Sequence, residues 1–226
     1  MLILAAHGTR SAAGVQMIHD LSSAVADRIG PLRTAFVDVL GPNPAELLAR
    51  AVGPSVVVPA FLASGYHVHI DVPARVAESG HTATTVTPAL GPDPALAAVM
   101  RDRLREIGWR RGDVVVMAAA GSSDPRARRE IYSAAEMLAQ HVGEVHVGFV
   151  ATGVPRVRDV VRVIRAAGRR VFIAPYLLAP GLFHDRLQDC GAFAVAAPLG
   201  AHADVVDLLT ARFTTALASE RMAYVA

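Results

Sequence analysis

Cysteine is nearly missing from this chain of 226 residues, where Cys190 stands alone. No internal disulfide can form, and there is no thiol cluster for zinc or an iron–sulfur group; a lone residue of this kind reads as a small core side chain. Long apolar runs are missing too, none approaching the roughly 18 residues needed to cross a bilayer. Met1 to Ala6 meets a His-Gly turn before a signal-peptide core can build up. The expectation is a cytoplasmic protein with no membrane partner. Neither sign of charge prevails: 22 basic and 20 acidic side chains leave a net +2. The basic residues are arginines spread along the chain rather than gathered in a tail, which suits an anionic small molecule better than nucleic acid. Three familiar signatures are also absent: G-x-x-x-x-G-K-[ST], G-x-G-x-x-G after a first strand, and G-x-S-x-G. Their absence argues against nucleotide use and serine hydrolysis.

What is present is apolar: 53% hydrophobic residues against 19% charged ones describe a packed globule rather than a disordered chain. The length allows one large domain or two smaller ones, and self-similarity chooses between them. LILAAHGTR from Leu2 aligns with VVMAAAGSS from Val115, and FVDVLGPNP from Phe36 with FVATGVPRV from Phe149, both at an offset of 113 residues. VPAFLASG from Val58 aligns with APYLLAPG from Ala174, and PALGPDPAL from Pro88 with APLGAHADV from Ala197, at offsets of 116 and 109. We divide the chain into residues 1–112 and a degenerate second copy, 113–226.

Short Val/Ile/Leu/Ala runs alternate with amphipathic stretches in both halves, the pattern of βαβ units around a parallel sheet. Strands are predicted at Leu2–Ala6, Thr34–Val39, Ser55–Pro59 and Thr82–Thr87, then at Asp113–Ala118, Glu144–Val150, Arg170–Pro175 and Ala192–Ala196. Ala12–Ile29 and Pro125–His141 read as helices. The expected architecture is α/β: two similar lobes, each a four-stranded parallel sheet flanked by helices. The cleft between them is then lined by the loops at the carboxyl ends of the first and third strands.

Two histidines stand at such strand ends. His7 follows the first strand in H-G-T-R, with Gly8 for the turn and Ser11 to cap the next helix. His67 follows the third strand in F-L-A-S-G-Y-H-V-H-I-D-V-P, where Asp71 and Pro73 punctuate the following helix. An imidazole pair rising from one side of one sheet binds a divalent metal or accepts protons; the alternative is a pair of hydrogen-bonded turn residues. The duplication supplies a control, because the counterparts of His7 and His67 are Ala120 and Phe183, whereas the turn glycines Gly8/Gly121 and Gly65/Gly181 are kept. Chemistry is therefore confined to the first half. Asp38, at the end of the second strand, is a candidate third ligand, the alternative being a capping aspartate. Ser122 and Ser123, in G-S-S-D-P, open a helix amino terminus able to receive a carboxylate. His184 reaches towards the cleft from the second half, and His69 lies two residues beyond His67. His19, His81, His141, His146 and His202 have no supporting pattern.

In their order, A-H-G-T-R, F-L-x-x-G-x-H-V-x-x-D-V-P, A-G-S-S-D-P, P-Y-L-L-x-x-G and P-L-G resemble the class II tetrapyrrole chelatases, specifically the long, duplicated sirohydrochlorin cobalt or iron chelatases. The resemblance covers nearly the whole chain. It implies a bilobal chelatase fold and insertion of Fe(II) or Co(II) into sirohydrochlorin, towards siroheme or cobalamin. His7 and His67 would be the active-site histidines, serving as metal ligands and proton acceptors. The metal would be a substrate and no organic cofactor would be needed. The eight carboxylates of the tetrapyrrole would meet arginines, with Arg10, Arg75 and Arg126 as candidates. The chain departs from the family's usual H-G-S-R-D-P and carries Asp38 where glutamate is frequent. A non-catalytic tetrapyrrole or metal carrier is the alternative, and a binding protein for another anion a third reading. Imidazole and carboxylate donors do not choose among iron, cobalt and nickel. Both halves of the cleft lie in one chain, so a monomer is expected.

Overall fold

A computed structural model describes residues 1–225 of the chain. The apolar runs of the first half form β1 (Leu2–Ala6), β2 (Leu32–Phe36), β3 (Ser55–Pro59) and β4 (Thr84–Val86), paired in the order β2-β1-β3-β4. Those of the second half form β5 (Val114–Gly121), β6 (Val145–Thr152), β7 (Val171–Tyr176) and β8 (Ala194–Val195), in the order β6-β5-β7-β8. All pairs in both sheets are parallel. The register repeats with the sequence: Leu2 pairs with Leu32 and Val56, while Val115 pairs with Val145 and Phe172. Val56 pairs with Thr85 and Phe172 with Ala194. These pairings reproduce the sequence offsets of 113, 116 and 109.

Between the strands run α1 (Ala12–Ile29), α2 (Pro44–Leu48), a π-helical turn (His67–Asp71) continuing into α3 (Val72–Glu78), and α4 (Pro94–Glu106). The second half supplies α5 (Pro125–Val142), α6 (Val157–Ala166), α7 (Leu182–Gln188) and α8 (Ala203–Val225). Ser11 caps α1 by accepting from the Gly14 N–H, as its place before the apolar repeat predicts. The second strand starts and stops earlier than the predicted Thr34–Val39. After Phe36 the chain turns through Val39, at φ 62°, and the Phe36 N–H reaches back to the Pro42 carbonyl at 2.9 Å.

Both faces of each sheet are covered, which is why the strands read as continuous apolar runs rather than alternating ones. Leu4, Ala6, Val56 and Val58 point inward, as do Val115, Met117 and Ala119 of the other sheet. They meet a layer of α1, α4, α5 and α8 that places Leu21, Leu104, Leu138 and Phe213 in one core shared by both halves. Ile3, Ala5 and Val57 point outward beneath α2 and α3 with Leu48 and Val72. Val114, Val116 and Ala118 face α6 and α7, beside the buried Cys190. Two helices cross between halves, α4 packing on β7 and α8 on β3. Among the described residues no helix is long and apolar enough to cross a membrane.

Candidate functional site

The carboxyl ends of the two sheets face a cleft of about 830 Å³, bordered by the loops after β1, β3, β5 and β7. On the first-half side, one donor atom from each of His7, Asp38 and His67 lies within 4.8 Å of the others. The two imidazole centroids are 5.0 Å apart. The spacing follows from the strand order, because β1 lies between β2 and β3, so the residues leaving their ends converge.

His7 and Asp38 are locked by the backbone. The Val37 N–H bonds the Ala6 carbonyl at 3.0 Å, extending the β1–β2 ladder to the rim. The Gly8 N–H donates to Asp38 Oδ1 at 3.2 Å, and the same oxygen lies 3.1 Å from His7 Nδ1. Gly8 is needed for closeness rather than for a left-handed turn: a β-carbon there would stand 2.0 Å from the Asp38 carbonyl oxygen. Burial holds the His7 imidazole below its ordinary pKa of 6.5; the Asp38 carboxylate opposes this and the neighbouring His67 adds to it. At neutral pH the ring is thus uncharged and has a lone pair to offer.

His67 opens the π-helical turn, a rare form of helix found mostly at functional sites. The Val72 N–H bonds the His67 carbonyl, and the wide turn brings the Asp71 carboxylate to 2.5 Å from His67 Nδ1. Asp71 stands at the N-cap position of α3 with Pro73 in the first turn, as the sequence pattern suggests, but its side chain makes no cap bond and instead accepts from the imidazole. That bond places the proton on Nδ1 and leaves Nε2 as the basic nitrogen, the arrangement commonly found behind a metal-bound histidine. Phe61 stacks on the ring at 5.7 Å and 18°, and Tyr66 meets it edge-on at 6.1 Å. The H-x-x-x-D spacing on a helical turn was the sequence signal for this pair.

The other candidates divide. Arg10, Ser122, Ser123 and His184 line the cleft. His184 Nε2 is 3.1 Å from the Ala196 carbonyl, so its ring is tied to its own half. Arg75 and Arg126 do not line it. The Arg75 guanidinium lies along α3 and pairs with Glu78 at 2.8 Å, and Arg126 folds back onto Asp124 at 3.1 Å, each satisfied by a near neighbour in sequence. His69 is exposed and outside the lining.

The second half lacks every part of the trio and its support. The counterparts of His7, Asp38, His67 and Asp71 are Ala120, Ala151, Phe183 and Leu187. Ala120, Ala151 and Phe183 line the cleft opposite the histidines, with Leu177 and Leu178, as an apolar wall. A second trio, Asp102, His202 and Asp204, also gathers donor atoms within 4.8 Å. Arg101 already holds Asp102 at 2.9 and 2.8 Å, and Arg105 reaches it at 3.4 Å, so the protein's own cations occupy that cluster.

Comparison with known proteins agrees with this architecture. The chain is 23% identical over 210 residues to a sirohydrochlorin cobaltochelatase of Priestia megaterium, covering 83% of this chain and 67% of that protein. It is 23% identical over 185 residues to a sirohydrochlorin ferrochelatase of the same organism, covering 74% and 70%. The structure of SirB from Bacillus subtilis with Fe3+ superposes with a TM-score of 0.79 at 22% identity, over 94% of this chain and 93% of that one. The CbiX family model matches twice, over residues 1–107 and 114–216, once for each copy of the repeat. The chain therefore belongs to the CbiX family.

Proposed function

We propose that this protein inserts Fe(II) or Co(II) into sirohydrochlorin, with His7 and His67 as the working groups. The observation that carries the reading is the convergence of His7, Asp38 and His67 within 4.8 Å on one side of a cleft whose opposite wall is apolar. Insertion exchanges two pyrrole protons for a dication without redox change. The site must therefore hold the ion through few donors, let it go, and take up protons. Two imidazoles and one carboxylate meet this demand. They offer borderline donors that bind Fe(II) and Co(II) without enclosing them, and once the ion has passed to the ring nitrogens the freed imidazoles accept the protons. Asp38 either completes the ligand set or steadies His7 as it takes up charge. The macrocycle would lie against Phe61, Leu177 and Phe183, with Arg10, Ser122 and Ser123 meeting its carboxylates at the mouth. The repeats 1–112 and 113–226 each supply one wall, so we take a single copy to suffice, with no organic cofactor.

The test is anaerobic turnover. Sirohydrochlorin with Fe(II) or Co(II) should show an absorption change faster than the uncatalysed rate, and His7→Ala or His67→Ala should remove the excess. Saturable binding of sirohydrochlorin with no rate enhancement would point instead to a carrier.

A further inference from the structure

The loop that delivers His67 is tied at its start by its own half, the Ala60 N–H to the Ala5 carbonyl at 2.8 Å and the Gly91 N–H to the Phe61 carbonyl at 3.1 Å, and beyond Phe61 by the other half of the molecule. It leaves β3 at Pro59 and reaches the π-helical turn at His67, and its middle residues, Leu62 to Ser64, belong to no strand or helix. Among the described residues, both hydrogen bonds that reach this stretch from outside the loop come from the second half. The Tyr176 hydroxyl, at the end of β7, donates to the Leu62 carbonyl at 2.7 Å. The Ser64 N–H donates to the Glu130 carboxylate of α5. Ala127, one turn earlier on α5, sits where a β-carbon on Gly65 would be in ordinary contact at 3.5 Å. Tyr176 is buried, and burial with the nearby Glu130 and Asp93 carboxylates pushes its phenol far above its usual range, so it remains a donor at any physiological pH.

The duplication shows that these bonds are not a general feature of the fold. The loop after β7 packs reciprocally on α1, with Gly14 close against the Pro180 carbonyl and Gly181 beside Ser11 and Thr9. There the polar parts are missing. The counterpart of Glu130 is Met17, that of Tyr176 is Ala60, and that of Ser64 is Pro180, which has no N–H to donate. The packing is kept in both directions, whereas among the described residues these hydrogen bonds between halves run only towards the loop that carries a histidine. The loop without one ends at Phe183.

We propose that Glu130 and Tyr176 are positioning residues for His67, a clamp from the second half that fixes the loop so that this imidazole meets His7 at metal-sharing distance. The proposal rests on His67 being a metal ligand, and it gives the degenerate half a role beyond walling the cleft. Beyond the bonds at Ala60 and Phe61, the stretch from Leu62 to Tyr66 samples many conformations unless anchored, and a ligand that must first be ordered binds its ion more weakly.

The test uses the whole chain and Co(II) alone. Affinity is measured by calorimetric titration for the unaltered protein, Glu130→Ala, Glu130→Gln, Tyr176→Phe, His67→Ala and the Glu130→Ala/His67→Ala pair. Backbone amide exchange is followed over residues 62–69, with thermal unfolding as the control for folding. Glu130→Ala should weaken Co(II) binding about tenfold and speed exchange in the loop. Glu130→Gln, whose side-chain carbonyl can still accept from Ser64, should restore both. The Glu130→Ala effect on affinity should vanish once His67 is alanine. Tyr176→Phe, which keeps the ring in the core, provides a second route should Glu130→Ala fail to fold, and should likewise weaken Co(II) binding. Unchanged exchange or unchanged affinity in the clamp variants overturns the proposal, as does an equal loss in the His67→Ala background. Should His67→Ala bind Co(II) as the unaltered protein does, the ligand role of His67 is refuted, and the clamp's positioning role falls with it.

Discussion

Removing the Asp71 carboxylate should weaken metal binding while leaving the fold in place. The His67 Nδ1 to Asp71 Oδ2 contact is 2.5 Å, and the two side chains are 36% and 27% exposed. Loss of a carboxylate behind a metal-binding histidine typically costs about ten- to a hundredfold in metal affinity, and partial exposure to water places this one at the lower end. Asp71→Ala frees the ring to rotate and removes the charge that makes Nε2 basic, so a loss of about 1.5 kcal/mol, roughly tenfold in Co(II) affinity, is expected. Asp71→Asn keeps an acceptor without the charge and should cost less, about threefold by the same scale. Because Asp71 makes no side-chain bond to the end of α3, unfolding free energy should stay within about 1 kcal/mol in both variants. Calorimetric titration and denaturant unfolding on the same preparations give the two quantities. An Asp71→Ala protein that binds Co(II) as tightly as the unaltered one, or one that loses as much when His67 is already alanine, would refute the inference that this carboxylate acts through His67.

The imidazole of His7, half exposed at the cleft rim, should titrate with a midpoint below 6.5 in the metal-free protein, followed by nuclear magnetic resonance; a midpoint at or above that value would show that the Asp38 carboxylate outweighs desolvation of the ring. The unfolded chain then binds more protons than the folded one just below pH 6.5, so the contribution of this group to stability is intact above that pH and declines as pH falls. Gly8→Ala should abolish turnover and destabilise by about 1–3 kcal/mol, because its β-carbon would stand 2.0 Å from the Asp38 carbonyl and force β1 and the 37–41 turn apart; wild-type activity in that variant would show that the turn yields. Introducing histidines at Ala120 and Phe183 together should not create a second tight Co(II) site, since Ala151 and Leu187 replace the two carboxylates; calorimetry showing two equivalent sites would contradict this. Cys190, buried and with its thiol pushed up mainly by that burial, should react with a thiol reagent only as the protein unfolds, at the denaturant midpoint seen by circular dichroism.

The repeat was legible in the amino-acid order because each strand is buried on both faces, and that burial writes continuous runs such as Leu2–Ala6 and Ser55–Pro59, which match the observed strands residue for residue. His7 and His67 stood out because the repeat supplied Ala120 and Phe183 as their blanks. The ends of β2 were less legible, since the Thr34–Val39 pattern continues past the point where Phe36 turns to bond Pro42, and nothing local announces a β-branched residue at φ 62°. Arg75 and Arg126 were misplaced for a similar reason: a guanidinium takes whichever carboxylate is nearest in space, and Glu78 and Asp124 were nearer than any ligand.

Composition, period and spacing thus determined the two parallel sheets, the duplication, and which half bears the imidazoles, because these depend on contacts that recur along the chain. Tertiary structure alone decided that Asp71 turns back to His67 through a π-helical turn, that α4 and α8 cross between the halves, and that Glu130 and Tyr176 reach the loop before His67. The last two join residues far apart in the chain, and long-range packing leaves no periodic mark in the order of residues; His67 and Asp71 are only four residues apart, but the π-helical turn that sets their geometry is not announced by that spacing.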